Sequence, residues 1–473
     1  MARLWHRPPV AAATLLALLL CLSAPAARQA DDRVPKPKAT DVVVQLFNWK
    51  FTEIKDELPK LKELGYTRVH VSPPMKSHKG DQWFFRYQPV DFTKVEGPLG
   101  TSDELKELCK AANKPDVGIA IVVDCVFNHM ADHPDFVTRE GGKVVRLQYP
   151  RFSTADFHVD QQDVKTDTDR LKGWLGLPDL KTESTYVRGE LKNYVKMLVR
   201  DYGVRGFRFD AAKHIEPEFF KEVLGVLTDA ERKGLYVFGE YVTGTPSEMG
   251  DYLGTMKCYD FPLAQTMKGA FGFGGDLKRL VEPERNGEAL NGPNAVTFVT
   301  HHDVAMHVID EKERWDWIRI GGLEGGVDEK LAYAYILGRL DGTPYVYSGM
   351  TTYRKLREDD AAEKASFKRH KHRHREAPIA AGVLFHNLAL GKGMSWRVKE
   401  KNQLAWQRGT DQFVAINKAG EAWKPGDLST TLEGGEYRDL MSTKVYKVEG
   451  SGRLKGLEMP GSSAAMFVKL LAK

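Results

Sequence analysis

The chain is notable first for how little cysteine it contains: four residues in 473. One of them, Cys21, lies in an apolar N-terminal segment, which leaves Cys109, Cys125 and Cys258. An odd number excludes a complete disulfide framework, and the spacing matches no zinc motif. Cys125 falls within an apolar, strand-like run, which predicts a buried free thiol. We assign no function to any of the cysteines.

Excess charge is also lacking. The formal net charge is only +5, with Lys and Arg interspersed among Asp and Glu. This distribution offers no electrostatic basis for binding nucleic acid. The sequence therefore predicts no nucleic-acid partner, and we expect a monomer.

Long apolar runs are missing too, except near the N-terminus. Residues 10–22 are apolar but too short to span a membrane comfortably, so no membrane association is predicted. Arg3 and Arg7 precede this run, and small residues follow it at 24–26. Basic residues, an apolar core and a small-residue cleavage site predict a signal peptide over residues 1–26. We therefore expect an extracellular protein, with the periplasm as the alternative destination.

Strand-like and helix-like segments alternate through most of the chain. Alternation of this kind predicts parallel strands joined by right-handed crossovers, and eight strand candidates favour a (β/α)8 TIM barrel over an open sheet. We place this α/β barrel at residues 40–376. The predicted strands are 42–47, 66–71, 117–127, 203–210, 235–241, 256–261, 295–300 and 343–347. Helical spacing predicts helices over 51–64, 102–113, 186–202, 217–233 and 328–340.

Two regions depart from the alternation. Residues 130–182 are polar and lack sustained periodicity, which predicts an inserted subdomain after strand 3 that binds calcium. Residues 380–473 contain short alternating runs with Gly-rich turns, which predict a C-terminal antiparallel all-β sandwich domain. Its predicted strands are 403–407, 412–418, 435–440 and 464–471. Between barrel and β domain lies a basic run, 368–375, with three alternating histidines. Metal binding is the alternative there, but the intervening Lys and Arg favour a solvated last helix of the barrel.

The stretch 203–214 organises the candidate chemistry. Asp210 follows the apolar residues of the fourth strand, and Arg208 lies two positions earlier, on the same face of the strand. A guanidinium beside a carboxylate holds it ionised and oriented, as a nucleophile requires. A structural ion pair at the end of a strand is the alternative.

Polar residues also follow other strands, at the end where barrel active sites lie. A single carboxylate there often caps the next helix, but four successive strand ends with such residues are hard to explain structurally. The residues are Asp124, Asn128 and His129 after strand 3; Arg208, Asp210, Lys213 and His214 after strand 4; Glu240 after strand 5; and His301, His302 and Asp303 after strand 7.

These motifs resemble the α-amylase family of retaining glycoside hydrolases. The matching segments are Asp-Cys-Val-Phe-Asn-His (124–129), Gly-Phe-Arg-Phe-Asp-Ala-Ala-Lys-His (206–214), Gly-Glu (239–240), Phe-Val-Thr-His-His-Asp (298–303), Arg-Tyr-Gln-Pro-Val-Asp (86–91), Gly-Leu-Pro-Asp-Leu (176–180) and Tyr-Asp-Phe-Pro-Leu (259–263). The resemblance covers residues 41 to about 350 by motif and the C-terminal domain by arrangement.

The resemblance and the chemistry imply the same roles. A retaining glycosidase uses an ionised nucleophile and a protonated acid, and these roles fall to Asp210 and to Glu240, whose aromatic surroundings raise its pKa. By resemblance Asp303 stabilises the transition state. The resemblance also implies substrate binding by Tyr87, His129, Arg208, Lys213, His214 and His302. Packing or capping at the start of a helix is the alternative for Lys213 and His214.

Calcium is the implied cofactor, because a hard cation prefers oxygen ligands. The resemblance offers the Asn128 side chain, Asp179 and the His214 carbonyl, with the Arg170 carbonyl a further candidate. Asp160, Asp163, Asp167 and Asp169 are also available in the insertion. One departure is His301, where the family often has Asn; in chloride-activated members that Asn binds chloride, so chloride dependence stays open.

The sequence thus predicts a secreted, endo-acting α-amylase that cleaves internal α-1,4 bonds of starch- or glycogen-like glucans with retention. An exo-acting maltooligosaccharide hydrolase or a transglycosylase is the alternative, because loop shape decides the fate of the same intermediate. Trp315 and Trp317 could stack on glucose rings or pack against a helix. A non-catalytic glucan-binding protein is disfavoured because Asp210, Glu240 and Asp303 are all present.

Overall fold

A computed structural model describes residues 32–80, 82–158, 177–305, 318, 327–349 and 372–472. The predicted signal peptide, Arg170, the four insertion aspartates 160, 163, 167 and 169, Trp315 and Trp317 lie outside the described residues. Among the described helices, none is long and apolar enough to cross a membrane. Cys109, Cys125 and Cys258 are buried free thiols, as predicted for Cys125.

Eight parallel strands close into a barrel, which confirms the predicted fold class. Their order around the barrel is β1-β8-β7-β6-β5-β4-β3-β2, with every neighbouring pair parallel. The strands are β1 (Val43–Leu46), β2 (Arg68–Val71), β3 (Ala120–Cys125), β4 (Gly206–Phe209), β5 (Tyr236–Gly239), β6 (Lys257–Tyr259), β7 (Ala295–Phe298) and β8 (Thr343–Ser348).

Helices surround the strands and bury their apolar faces against them. The first has the predicted bounds and ends at Gly65, whose left-handed backbone (φ 88°) places its N–H on the last carbonyls of the helix. The helices are α1 (Phe51–Leu64), α2 (Ser102–Ala112), α3 (Thr185–Lys196), α4 (Pro217–Gly225), α5 (Asp229–Lys233), α6 (Phe261–Phe271), α7 (Val327–Gly338) and α8 (Ala377–Ala389). The single helix predicted over 217–233 is two helices, because Thr228 caps a new one at Asp229.

The segment 130–182 is described over 130–158 and 177–182, where it forms two small antiparallel pairs. An exposed hairpin joins Val137–Glu140 to Lys143–Leu147, and Phe157–His158 pairs with Asp179–Leu180. The second pair returns the chain to the barrel, since Leu180 N–H donates to the Asn128 carbonyl at 2.9 Å. This segment therefore lies beside the end of β3, close to several of the predicted site residues.

The C-terminal residues form one eight-stranded antiparallel sheet around an apolar core of their own. Its order is β9-β10-β11-β16-β13-β14-β15-β12. The strands are β9 (Met394–Lys399), β10 (Gln403–Arg408), β11 (Gln412–Asn417), β12 (Trp423–Ser429), β13 (Gly435–Asp439), β14 (Val445–Val448), β15 (Arg453–Met459) and β16 (Ser463–Lys469). Buried Trp406 fixes the sheet to the barrel by donating from Nε1 to the Gly338 carbonyl of α7 at 2.9 Å.

The described part of the basic run, residues 372–375, is not the solvated helix that we predicted. Its described part is a short 3-10 turn, Arg373–Arg375, in which Arg373 and His374 are buried. Arg373 pairs with Glu329 at 2.8 Å, and His374 Nε2 lies 2.9 Å from Glu57 Oε1. Buried carboxylates thus compensate charges that the sequence pattern assigned to solvent.

Candidate active site

Arg208 is the centre of the candidate site. It is fully buried in β4, and its Nη1 donates to Asp124 Oδ1 at 2.8 Å and to Asp210 Oδ1 at 2.6 Å. Its Nη2 lies 3.0 Å from Glu240 Oε2. Because Arg208 is in register with Asp124 on the neighbouring strand β3, both side chains enter the barrel interior. One guanidinium therefore holds three carboxylates from three successive strands.

Asp124 has more partners than the other two carboxylates. Besides Arg208, it accepts a hydrogen bond from the Tyr87 hydroxyl at 2.9 Å, and His70 Nε2 lies 3.3 Å from its Oδ2. Burial alone would raise its pKa, but Arg208 and His70 outweigh that effect and lower it below the ordinary value. Asp124 is therefore the permanent anion of the cluster.

Asp210 and Glu240 are in a different electrostatic position. Burial raises the pKa of Asp210 well above its ordinary value, Arg208 opposes this, and Glu240 and Asp124 add to it. Burial also raises the pKa of Glu240, against the influence of Arg208. Arg208 therefore does not by itself keep Asp210 ionised, as the sequence pattern predicted, because its single charge is shared among three acids. Glu240 has the raised pKa that we predicted for it.

The backbone next to Asp210 is bent to reach Glu240. Ala211 has left-handed dihedral angles (φ 47°, ψ 34°), a conformation that costs a non-glycine residue about 1–2 kcal/mol. In this conformation its N–H donates to Glu240 Oε2 at 3.0 Å. The hydrogen bond favours the ionised form of Glu240 and, together with Arg208, fixes the orientation of its carboxyl group.

Asp303 joins the cluster from the end of β7. Its side chain is 15% exposed, and its Oδ2 lies 3.4 Å from His301 Nδ1 and 3.3 Å from His302 Nε2. Asp303 is also close enough to Glu240 to raise the pKa of that acid. The donor atoms of His301, His302 and Asp303 lie within 4.8 Å of one another and could hold a metal ion. Two imidazoles suit a transition metal better than calcium.

His302 is held between two aromatic rings. Phe47 stacks on it at 4.8 Å and Tyr87 at 5.0 Å, with interplanar angles of 17° and 11°. Its Nδ1 lies 3.0 Å from Gln45 Nε2, so Nδ1 accepts and Nε2 carries the proton. Burial lowers its pKa to about 3, which keeps the imidazole neutral. A neutral, oriented N–H next to Asp303 is well suited to donate to a sugar hydroxyl.

The remaining predicted substrate contacts come from the segments that follow β3 and β4. His129 is buried, with Nε2 2.9 Å from the Tyr87 carbonyl, and burial lowers its pKa to about 4. Lys213 donates to the Val242 carbonyl at 3.1 Å and lies 5.3 Å from the centroid of the Tyr241 ring. His214 is buried in the 3-10 turn after β4, near enough to influence the pKa of His129.

Sequence reasoning missed residues that the structure places in this site. Trp83 lies at the edge of His302, with ring centroids 5.9 Å apart, and contacts both Phe47 and Tyr87. Its signal was its position beside the Arg-Tyr-Gln-Pro match, four residues before Tyr87. His70 gave no such signal, because an isolated polar residue in a buried strand has no partner that the sequence identifies.

The structure brings together the two segments that carry the predicted calcium ligands Asn128 and Asp179. Asn128 and Asp179 are both buried and come from adjoining segments, because an isolated bridge pairs His129 with Asp179. Their amide and carboxylate oxygens suit a hard cation. Asp179 Oδ2 is also 2.8 Å from His158 Nδ1, and His158 Nε2 is 3.0 Å from Glu183. Burial lowers the pKa of His158, but its two carboxylate partners raise it overall, to about 9.

Comparison with known protein families identifies both parts of the chain. The family model described as "Alpha amylase, catalytic domain" matches residues 50–377, and "Alpha amylase, C-terminal all-beta domain" matches residues 396–465. An α-amylase of Aeromonas hydrophila is 31% identical and covers 80% of this chain and 84% of its own length. One of Streptomyces violaceus is 29% identical over 98% of this chain and 79% of its own.

Solved structures share the fold. Wild-type α-amylase I of Eisenia fetida superposes with a TM-score of 0.76 at 24% identity, covering 93% of this chain and 99% of its own. A variant of that enzyme was solved in complex with maltohexaose. The α-amylase of Geobacillus thermoleovorans, solved with acarbose, has a TM-score of 0.65 at 19% identity, covering 92% of this chain and 98% of its own.

Proposed function

The chain belongs to the α-amylase family of glycoside hydrolases, and we propose that it is a secreted, endo-acting α-amylase. Its substrate would be a starch- or glycogen-like α-glucan, cleaved at internal α-1,4 bonds with retention of configuration. One observation carries the proposal: Asp210 and Glu240 contact terminal nitrogens of the same buried guanidinium, with Asp303 beside them. This close pairing favours retention, because inverting enzymes need a wider separation that admits water.

The first step divides between Asp210 and Glu240. An oxygen of ionised Asp210 attacks the anomeric carbon while the bond from that carbon to the glycosidic oxygen breaks. Protonated Glu240 gives its proton to the leaving oxygen, which departs as a hydroxyl on the shorter glucan. Burial supports the acid role of Glu240, since it raises the pKa of that side chain. While Glu240 is protonated it does not repel the Asp210 carboxylate, so Arg208 can hold Asp210 ionised for the attack.

The second step reverses the roles. Glu240, now ionised, takes a proton from a water molecule whose oxygen attacks the anomeric carbon and releases Asp210. The two displacements restore the original configuration. The Asp303 carboxylate would stabilise the positive charge that develops on the sugar, and the N–H of neutral His302 would donate to a hydroxyl of the same sugar.

Aromatic rings at the rim of the cluster suit a glucan chain. Trp83 and Tyr87 lie next to His302, so sugars extending from the cleaved bond would meet flat apolar faces. Lys213 lies after β4, on the side of the cluster that we assign to the leaving portion of the glucan. This division of contacts rests on the family resemblance.

We also propose that calcium binds through Asn128, Asp179 and the His214 carbonyl, with the Arg170 carbonyl as a further ligand. Asn128 follows β3 and Asp179 lies on the returning strand of the inserted segment, so a shared ion would fix that segment beside the cleft. Secretion rests on the N-terminal sequence, residues 1–26, and a monomeric state is part of the same proposal.

The deciding experiment is a time course on soluble starch with calcium present. Iodine colour, reducing ends and product lengths are followed together, and NMR of the first products gives the anomeric configuration. Rapid loss of colour with few reducing ends and α-configured products is expected. Slow loss of colour with one dominant short product would favour the exo-acting alternative. Larger products from labelled short donors would favour transglycosylation.

Chelation tests the calcium proposal separately. Removal of calcium with EDTA is expected to lower the melting temperature, and added calcium to restore it, because an ion bound only to the folded state stabilises it. Asp179→Asn should weaken the dependence of melting temperature on calcium concentration. Asp132→Asn, which alters an aspartate in an exposed pair with Arg139, serves as the control. Equal melting temperatures with EDTA and with calcium would contradict this proposal.

A further inference from the structure

A chain of polar contacts crosses the barrel interior beneath the carboxylates. The Tyr345 hydroxyl on β8 lies 2.8 Å from His70 Nδ1 on β2, and His70 Nε2 lies 3.3 Å from Asp124 Oδ2 on β3. All three side chains are fully buried. This series of contacts ends at Arg208, which donates to the other oxygen of Asp124.

Burying this series of polar groups in the barrel interior costs folding free energy. The interior of a TIM barrel is filled mainly by bulky branched apolar side chains. A buried imidazole and phenol lose their hydration and regain only what their partners supply. In the described part of the chain, Nε2 of His70 makes no well-formed hydrogen bond to any group, so Asp124 at 3.3 Å is the partner that it faces.

We propose that His70 is a positioning residue for glycosidic-bond cleavage, because it holds Asp124 in the orientation that fixes Arg208 between Asp210 and Glu240. The inference rests on the proposed function. His70 itself touches neither reacting carboxylate; it acts through Asp124 and Arg208. Tyr345 in turn fixes His70.

The contacts define the tautomer of His70. Burial lowers its pKa, so the ring is neutral and carries one proton. A lone pair on Nε2 would face the Asp124 carboxylate and repel it, so the proton lies on Nε2 and Nδ1 accepts from the Tyr345 hydroxyl. Asp124 Oδ2 thus accepts a hydrogen bond from Tyr87 and faces the N–H of His70 at 3.3 Å, while Oδ1 is left to Arg208.

Loss of His70 should reduce turnover more than binding. Without this N–H, Asp124 Oδ2 keeps the Tyr87 hydrogen bond but loses its second neighbour, so the carboxylate can shift and with it the contact that sets the distance between Arg208 and Asp210. A small misplacement of reacting groups can cost about 100-fold in rate. We expect His70→Phe, which keeps the ring volume, to lower kcat about 10- to 100-fold while KM changes less than about threefold.

Matched variants separate positioning from packing. His70→Gln keeps an amide N–H at a reach similar to that of Nε2 and should recover most of kcat. Tyr345→Phe should lower kcat less than His70→Phe does. The double variant should have about the same kcat as His70→Phe, because both changes interrupt the same series of polar contacts. His386→Phe is the control: His386 is buried in α8, away from the carboxylates, and its loss should lower the melting temperature but not kcat.

The outcomes are distinguishable from failure of the proposed function. An unchanged kcat in His70→Phe overturns the inference, as does a loss that His70→Gln fails to recover. If the unaltered protein cleaves no glucan, the proposed function fails, and crystal structures decide the role of His70. Displacement of Arg208 from Asp210 in His70→Phe, but not in His70→Gln, would support positioning, and an unmoved Arg208 would refute it.

Discussion

The barrel interior near the carboxyl ends of its strands and the core of the C-terminal sheet are built from opposite kinds of residue. The first buries His70, Asp124, Arg208, Asp210 and Glu240 within one connected cluster. The second is composed of apolar side chains contributed by all eight strands. Both regions exclude water, but only the first must compensate buried charges to do so.

The difference separates chemistry from stability. In the C-terminal sheet, each apolar side chain contributes by leaving water, at about 25 cal/mol for each Å² buried. In the barrel, a buried charged group is tolerated because a partner of opposite charge contacts it. Removal of one group leaves the charge of the other buried without a counter-charge. Changes in the barrel cluster should therefore affect turnover first, and changes in the C-terminal core should affect unfolding first.

The largest expected effect is on turnover, from Asp210→Asn. The amide keeps the shape but cannot attack the anomeric carbon, so kcat on starch should fall at least about 1,000-fold, which corresponds to a barrier raised by about 4 kcal/mol. Circular dichroism should be unchanged. Substantial residual hydrolysis would refute the nucleophile assignment.

Asp260→Asn is the matched control for Asp210→Asn. Asp260 is also a buried aspartate directly after a barrel strand, with a pKa that burial raises to about 6. It caps α6 by accepting from the Leu263 N–H at 3.0 Å, which an amide oxygen can also do. Its kcat should stay near that of the unaltered protein.

The opposite response is expected in the C-terminal core, from Phe413→Ala. Phe413 is fully buried in β11 against Phe467, and such truncations cost about 3–5 kcal/mol. Calorimetry should show a lower melting temperature, while kcat of the folded protein stays constant. Val445→Ala, at a side chain that is 47% exposed in β14, should change stability by less than about 0.5 kcal/mol. A loss of kcat in folded Phe413→Ala would contradict the claim that the C-terminal core contributes to stability and not to turnover.

A smaller effect is expected from a buried charge outside the active site. Burial would raise the pKa of Glu57, but His374 and Arg375 outweigh it and lower that pKa from 4.5 to about 2. A folded pKa below the unfolded one contributes stability that is present above about pH 4.5 and is lost as pH falls toward 2. Glu57→Gln should therefore be less stable than the unaltered protein at pH 7.

Acid titration of unfolding measures this contribution. The stability difference between Glu57→Gln and the unaltered protein should shrink as pH falls from about 4.5 to about 2. Glu63→Gln in the same helix removes only an exposed pair with Lys60 and should have little effect at any pH. A difference that is constant with pH would contradict a stabilising role for ionised Glu57.

Regular elements were predictable where local pattern and burial agree. The bounds of α1 match the prediction because its apolar spacing ends at Gly65, a residue that terminates helices. Barrel strands were predicted too long, as with 117–127 against Ala120–Cys125, because apolar residues continue beyond the hydrogen-bonded ladder. Four strands of the C-terminal sheet were missed. One is β12, where Pro425 and Gly426 interrupt the alternation and most side chains are exposed.

The alternation that builds the barrel and the residue types at its strand ends follow from local pattern, because parallel strands bring those ends to one place. Which buried groups contact the Arg208 guanidinium, directly or through Asp124, follows only from the fold. Arg208 and Asp210 are neighbours in sequence, but His70, Asp124, Glu240 and Tyr345 join them from four other strands. The partner of a buried polar group is set by the strand order and register of the barrel, and so is its pKa.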